Sequence, residues 1–260
     1  MTLDLTRLDH LSQDELWDEQ AAASYDSPGE GMWSEEVLGP TLDRLAGLAG
    51  GGRALELAVG TGRVAIPLAR RGVPVAGIEL SRPMLSQLAR TEGAEAVTAD
   101  HGDMVTTRVD GEFSLVYLVF NTIANLLTQE AQVACFRNAA AHLSPGGRFV
   151  IELWVPDLRS VSPSAPAQVF SVEDGYLGLD AIDTASQRLM SHHVRFDPGA
   201  TGPDRRSARI GFTPHRYIWP SELDLMGQLA GFALESRHAD WSDAAFTSES
   251  RSHVSVYRLR

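Results

Sequence analysis

The 260-residue chain is 43% hydrophobic and 22% charged, a composition suited to one α/β domain with an insertion and far from that of a disordered chain. Its formal charge of -12 opposes the phosphates of nucleic acid, and the ArgArg pairs at 70–71 and 205–206 are too short to make a compensating basic face, so no nucleic-acid partner is expected. All 22 basic residues are arginines; the absence of lysine excludes a P-loop as normally built and any Schiff-base or pyridoxal-phosphate chemistry.

The opening "MTLDLTRLDHLSQDEL" has neither a basic start nor a long apolar run, and no apolar stretch reaches the roughly 18 residues that a membrane span needs. A single cysteine, Cys135, cannot form an internal disulfide, and its setting in "AQVACFRNAAAHL" is that of a buried small hydrophobe. The expectation is a cytoplasmic protein without membrane contact, a monomer or a homodimer. The segment from Trp17 to Trp33, with its "DSPGEG" interior, reads as a mobile lid within an N-terminal helical cap spanning 1–45.

Strand and helix then alternate. Strands are expected at Arg53–Ala58, Val73–Glu79, Glu95–Ala99, 113–120 ("FSLVYLVF") and Arg148–Trp154, and helices at Arg63–Arg71, Pro83–Thr91 with Ser81 as N-cap, and Gln129–Leu143 ended by "SPGG". Near-continuous apolar runs of this kind belong in a parallel sheet covered on both faces. After Pro156 the rhythm changes. A Ser/Pro linker at 161–166 leads to the β-leaning stretches "AQVFSV", "YLGLDAI" and "RLMSHHVRF", with turns at "EDG" and "DPGATGPD", which read as an antiparallel insertion at 157–215. A helix at 220–232 and a last strand at 253–259 return to the core, which is assigned 46–156 and 216–260.

The turn after the first strand decides the chemistry. Gly60, Gly62 and Ala65 satisfy a GxGxxA pattern, which alone serves any tight strand-to-helix turn. Glu79, seventeen residues beyond Gly62 at the end of the second strand, is placed to take both hydroxyls of an adenosine ribose, in NAD or in another adenosine ligand. Glu56, inside the first strand, is costly to bury without a cationic or hydrogen-bonding partner. A dinucleotide would bring only an anionic pyrophosphate there, whereas S-adenosylmethionine brings an ammonium and a sulfonium. A carboxylate turned to solvent, or paired with Arg53 or Arg63, is the structural alternative. "ADHGDM" (99–104) then supplies Asp103 for an exocyclic amine and Met104 for a purine face.

With these residues in place, the sequence resembles the class I S-adenosylmethionine-dependent methyltransferases over about residues 50–155. The resemblance rests on "LELAVGTG" (55–62), "VAGIELSRPML" (75–85), "ADHGDM", "FSLVYLVFNTIANL" (113–126) and "HLSPGGRFVIEL" (142–153), with "GFALES…HVSVYRL" at the close. It extends to the small-molecule branch that includes amino-sugar and glycine-type N-methyltransferases, whose N-terminal "YD" and later aromatic close over the cofactor; here these are Tyr25, Asp26 and Trp33. The resemblance implies a doubly wound, mostly parallel seven-stranded Rossmann-like sheet with an antiparallel last strand. It implies S-adenosylmethionine as methyl donor, S-adenosylhomocysteine as product, a small-molecule acceptor and in-line displacement. It would place the methionyl ammonium on Glu56 and amides near Gly60 and Gly62, the ribose on Glu79, and the adenine on Asp103 and Met104. Leu80, Met84 and Phe120 would be apolar walls, with Ala58, Arg63 and Asn121 also counted among the cofactor residues.

Three departures stand out. Ala58 replaces a frequent first glycine, Ser114 replaces an aspartate at the start of the fourth strand, and Asn125 stands where the sugar N-methyltransferases often carry a histidine base. His193 and His215 in the insertion are then the candidate catalytic bases, while His142, at a helix C-terminus that favours a cation, reads as structural. No metal site is expected, because no His/Cys/Asp cluster has ligand spacing. An NAD-dependent oxidoreductase and a non-catalytic adenosine-ligand sensor remain the alternatives.

Overall fold

The computed structural model describes residues 16–23, 25–26, 31–158, 161–162, 167–196 and 208–260. Residues 1–15, most of "DSPGEG", residues 163–166 of the Ser/Pro linker, the "DPGATGPD" turn and the ArgArg pair at 205–206 lie outside the described residues.

A short helix α1 (Glu19–Ala23) precedes α2 (Glu35–Ala49), whose buried Leu42, Leu45 and Ala49 recur at helical spacing. The core then follows as β1 (Ala54–Leu57), α3 (Ala65–Arg70), β2 (Val75–Glu79), α4 (Arg82–Leu88), β3 (Val97–His101), β4 (Phe113–Leu118), α5 (Gln129–His142) and β5 (Leu143–Trp154). Ser81 caps α4 by accepting from the Met84 amide at 3.2 Å, with Pro83 at the start of the helix where a missing N–H costs nothing. Thr128 caps α5 in the same way. All of β1 and β2 is buried, because helices cover both faces: α5 on one side, α2 and α3 on the other.

Four antiparallel strands follow: β6 (Ala167–Glu173), β7 (Tyr176–Asp183), β8 (Arg188–Phe196) and β9 (Ala208–Arg216). They form a separate sheet whose Ile182 and Leu189 pack with Tyr217 against Trp154 and Leu158. The chain returns through α6 (Pro220–Leu229), β10 (Phe232–His238) and β11 (Ser252–Leu259). The main sheet has seven strands in the order β3-β2-β1-β4-β5-β11-β10; β1 to β5 run parallel and β11 lies antiparallel to both β5 and β10. This is the doubly wound sheet expected from the sequence, and the order reverses beside β1, where such sheets carry their ligands.

Several expectations are corrected. The third strand begins at Val97, because Ala94–Ala96 forms a 3-10 turn after Gly93. The fourth strand ends at Leu118, because Phe120 and Asn121 both adopt positive φ (52° and 65°) and turn the chain. Leu143 opens β5 instead of closing α5, since it pairs with Phe113. His142 is structural but uncharged: its Nδ1–H donates to the Asn138 carbonyl at 2.8 Å, its Nε2 accepts from the Val109 amide at 3.0 Å, and burial lowers its pKa. Two strands were not foreseen, β9 and β10.

Candidate functional site

The carboxyl ends of β1, β2 and β3 surround a cavity of about 140 Å³. Seven of the residues singled out from the sequence line it from the core: Ala58, Gly60, Glu79, Leu80, Met84, Asp103 and Met104; Tyr25 lines it from the N-terminal segment. The turn is built by left-handed backbone at three alternate positions, Ala58 (φ 55°), Gly60 (58°) and Gly62 (88°). A side chain at Gly77, in the neighbouring strand, would place its Cβ 2.6 Å from that of Val59, so the second strand must present bare backbone for the turn to seat.

Glu79 organises this rim. It is only 7% exposed; Oε2 accepts from the Gly60 amide at 2.9 Å and Oε1 from the Ser81 amide at 2.7 Å. Burial raises its pKa, and the amides of Ser81, Gly60 and Leu80 oppose the rise. Each oxygen keeps a second lone pair for a hydroxyl. Asp103 accepts from the Val105 amide through Oδ1 at 2.8 Å, and its carbonyl closes the turn onto Thr106 and Thr107.

Glu56 lies beneath the turn, 3% exposed, and is not a wall of the cavity. Its partner is neutral: Tyr117 donates its hydroxyl to Oε2 at 2.9 Å. Burial pushes the Glu56 carboxyl up to about 8, against the pull of Tyr117, the Arg63 charge and the Ala65 amide. Arg53 is not paired with it; that guanidinium lies over the Phe113 ring at 4.8 Å.

The N-terminal segment sits over these groups. Trp17, Tyr25 and Trp33 form an edge-to-face ladder with centroids 5.6 and 5.4 Å apart. Among the described residues, three hydrogen bonds tie it to the core: Ser81 Oγ to the Trp17 carbonyl (2.6 Å), Thr61 Oγ1 to Asp26 Oδ1 (2.6 Å), and Arg63 Nη1 to the Met32 carbonyl (3.0 Å). Trp33, Gly62, Arg63, Phe120 and Asn121 stand around the cavity without lining it. Asn121 joins two strand ends, its Oδ1 accepting from the Trp154 amide at 2.7 Å.

Sequence reasoning had not placed Trp17, Thr122 and Leu126 in the wall, though the structure does, together with Asn125. Trp17 carried a signal as the first aromatic of the lid; Thr122 and Leu126 carried none, since a 3-10 turn (Thr122–Asn125) positions them.

His193 and His215 are not in this cavity. Both project from the insertion sheet toward the core. His193 Nδ1 bonds the Tyr176 hydroxyl at 2.7 Å. His215 packs edge-on against Trp154 at 5.6 Å, on a strand that rests on Thr122–Asn125, and its Nδ1 is buried with no partner among the described residues. Burial, then the nearby His193, lowers the His215 imidazole to about 4. No group of three His, Cys, Asp or Glu side chains placed to hold a metal occurs among the described residues, and no helix among them is long and apolar enough to cross a membrane.

Comparison with known proteins agrees with the geometry. Residues 54–147 match the family model described as "Methyltransferase domain". The fold superposes on the structure of the CcbJ methyltransferase from Streptomyces caelestis with a TM-score of 0.75, at 36% identity, covering 85% of this chain and 88% of that one. The cypemycin N-terminal methyltransferase of a Streptomyces species is 27% identical over 95% of this chain and 98% of its own length. A dTDP-3-amino-3,6-dideoxy-alpha-D-glucopyranose N,N-dimethyltransferase of Streptomyces fradiae is 32% identical over 62% of this chain and 60% of its own. With its acidic rim, its turn and its sheet order all accounted for, the chain belongs to the class I S-adenosylmethionine-dependent methyltransferases.

Proposed function

We propose that this enzyme methylates an amine nitrogen of a small secondary metabolite. The observation that carries the reading is the near full-length similarity to an N-terminal methyltransferase, which runs through the insertion as well as the cofactor core. The partial match to an amino-sugar N,N-dimethyltransferase supports the same class of acceptor atom.

S-adenosylmethionine supplies an electrophilic methyl and a neutral thioether leaving group, so the protein has chiefly to align an amine lone pair and exclude water. In this reading Glu79 holds the ribose hydroxyls through the lone pairs its two amides leave open. Asp103 offers Oδ2 to the adenine amine beside Met104, since Oδ1 serves the turn. Glu56, beneath the turn, is assigned the methionyl ammonium, and Tyr25 with the tryptophans at 17 and 33 covers the site.

The insertion covers the acceptor side. A second cavity, about 590 Å³, lies between Trp154–Leu158 and the inner face of the small sheet, where Asp180, Gln168 and Tyr217 offer polar edges. His215 is not in the lining of that cavity but lies behind Trp154, and its buried, unpartnered Nδ1 is the group we assign to accept an acceptor N–H. An imidazole this hard to protonate orients a neutral amine better than it stores the released proton, so His215 is assigned a positioning role, and His193 a supporting one.

The test is transfer of tritiated methyl from labelled S-adenosylmethionine into a panel of amine and hydroxyl metabolites. Label in amines is expected. Label confined to hydroxyl acceptors would overturn the N-methylation reading.

A further inference from the structure

Gln132 is wholly buried on α5 and uses both ends of its amide. Its Oε1 accepts from Arg216 Nη1 at 2.6 Å, and since a guanidinium only donates, this contact fixes which end of the amide faces which way. The Nε2 end then donates to the carbonyls of Leu126 at 2.9 Å and Arg216 at 3.3 Å, with that of Ile123 at 3.5 Å. Leu126 follows the 3-10 turn in the wall of the cofactor cavity, and Arg216 ends β9, the strand that carries His215. One amide therefore holds both.

Arg216 is buried too, and its Nη2 reaches Glu222 on α6 at 2.7 Å and Gln187, in the turn between β7 and β8, at 3.3 Å. Gln187 donates in turn to Glu222 at 2.8 Å and to the Tyr217 carbonyl at 3.0 Å. The charge is thus paired, and the base of the insertion sheet is fastened to α5 and α6 by directional bonds. None of Gln132, Arg216, Gln187 and Glu222 lines either cavity, so the network touches no ligand directly. Apolar side chains of the same size would fill this space about as stably. What they would not do is fix a register.

We propose that Gln132 is a positioning residue for methyl transfer: its amide registers the cofactor wall against the strand that bears His215, and so sets how the acceptor meets the methyl group. The inference rests on the reading of the insertion as the acceptor side. In-line displacement is sensitive to such a shift, since a misplacement of about 1 Å costs about 100-fold in rate while each ligand keeps its own contacts.

The test uses Q132E, which keeps the volume and the oxygen facing Arg216 but has no N–H for the carbonyls of Leu126 and Arg216. Single-turnover methyl transfer is measured at saturating S-adenosylmethionine and saturating acceptor, the acceptor being one that the wild type labels, and S-adenosylhomocysteine affinity is measured on the same full-length protein by calorimetry. Q132E is expected to transfer about 10- to 100-fold more slowly while its affinity stays within about threefold. R216K, which keeps a charge on Glu222 but gives up the fork that orients the amide, is expected to move the same way, and decides by the same two readouts if Q132E does not fold. An unchanged rate, or a rate and an affinity that fall by one factor, would make Gln132 a structural residue and overturn the inference. The accepting atom is read separately, from the wild type: label confined to hydroxyls overturns the amine reading, and the comparison with Q132E then decides this inference on that hydroxyl acceptor.

Discussion

Tyr117 and Glu56 face each other across β4 and β1 as register partners, and the tyrosine hydroxyl donates to the carboxyl at 2.9 Å with both residues buried. This pairing lets an acid sit in the sheet without a cation. With burial pushing it up to about 8, Glu56 is protonated at pH 7 when the site is empty. An arriving ammonium favours the carboxylate, so cofactor binding at pH 7 is expected to release close to one proton. Calorimetry in buffers of different ionisation enthalpy measures this, and E56Q should abolish the release. In the empty protein the raised value also acts on folding: the Glu56 contribution is fully present below about pH 4.5 and is lost as pH rises through about 8.

Ala58 occupies a left-handed position, φ 55°, that disfavours any side chain by roughly 1–2 kcal/mol. Glycine there relieves the strain but loses more entropy on folding, about 0.5–1 kcal/mol. A58G is therefore expected to be neutral or to stabilise by up to about 1 kcal/mol in urea unfolding. G77A, which drives a Cβ to 2.6 Å from the Cβ of Val59, is expected to destabilise by about 1–3 kcal/mol and to displace the turn. A clearly destabilised A58G would show that the alanine side chain makes a contact of its own.

Glu79 and His193 separate cofactor from acceptor. E79A removes the acceptor of two rim amides along with the ribose contacts, and a cofactor affinity lower by about 100-fold is expected. H193A, on the insertion sheet and bonded to Tyr176, should leave that affinity within about threefold. Equal losses in the two variants would contradict the assignment.

His253 is fully buried, with Nδ1 on the Ser255 hydroxyl and Nε2 unpartnered among the described residues; burial and then the Arg237 charge hold it down to about 3. Because the folded values of His253 and His215 lie below the ordinary 6.5, their share of stability is present above pH 6.5 and is lost as pH falls toward about 3 and about 4 respectively. Proton NMR should find both rings neutral from pH 5 to 8 while exposed histidines titrate. A midpoint near 6.5 for either ring would contradict the burial described.

The parts legible in the sequence were those set by local pattern. The apolar runs of β1, β2, β4 and β5, the glycine turn, Ser81 as cap and the row Glu79, Asp103, Met104 all declare themselves by spacing. β9 did not, because "ARIGFTPHR" carries a Gly and a Pro and leaves Ile210 and Phe212 exposed, so its pattern lacks a clean buried face. β10 was hidden behind Gly231, which reads as a helix stop and is one, with β10 beginning at the next residue. The neutral partner of Glu56 was out of reach too, since Tyr117 is 61 residues away and meets it only through strand order.

A structure of the complex with S-adenosylhomocysteine tests the acidic rim most directly. The expected result is a ribose on the Glu79 carboxylate, adenine at Asp103 and Met104, and the amino-acid end at the glycine turn above Glu56. Ligand density elsewhere, with those side chains unchanged and facing solvent, would contradict it.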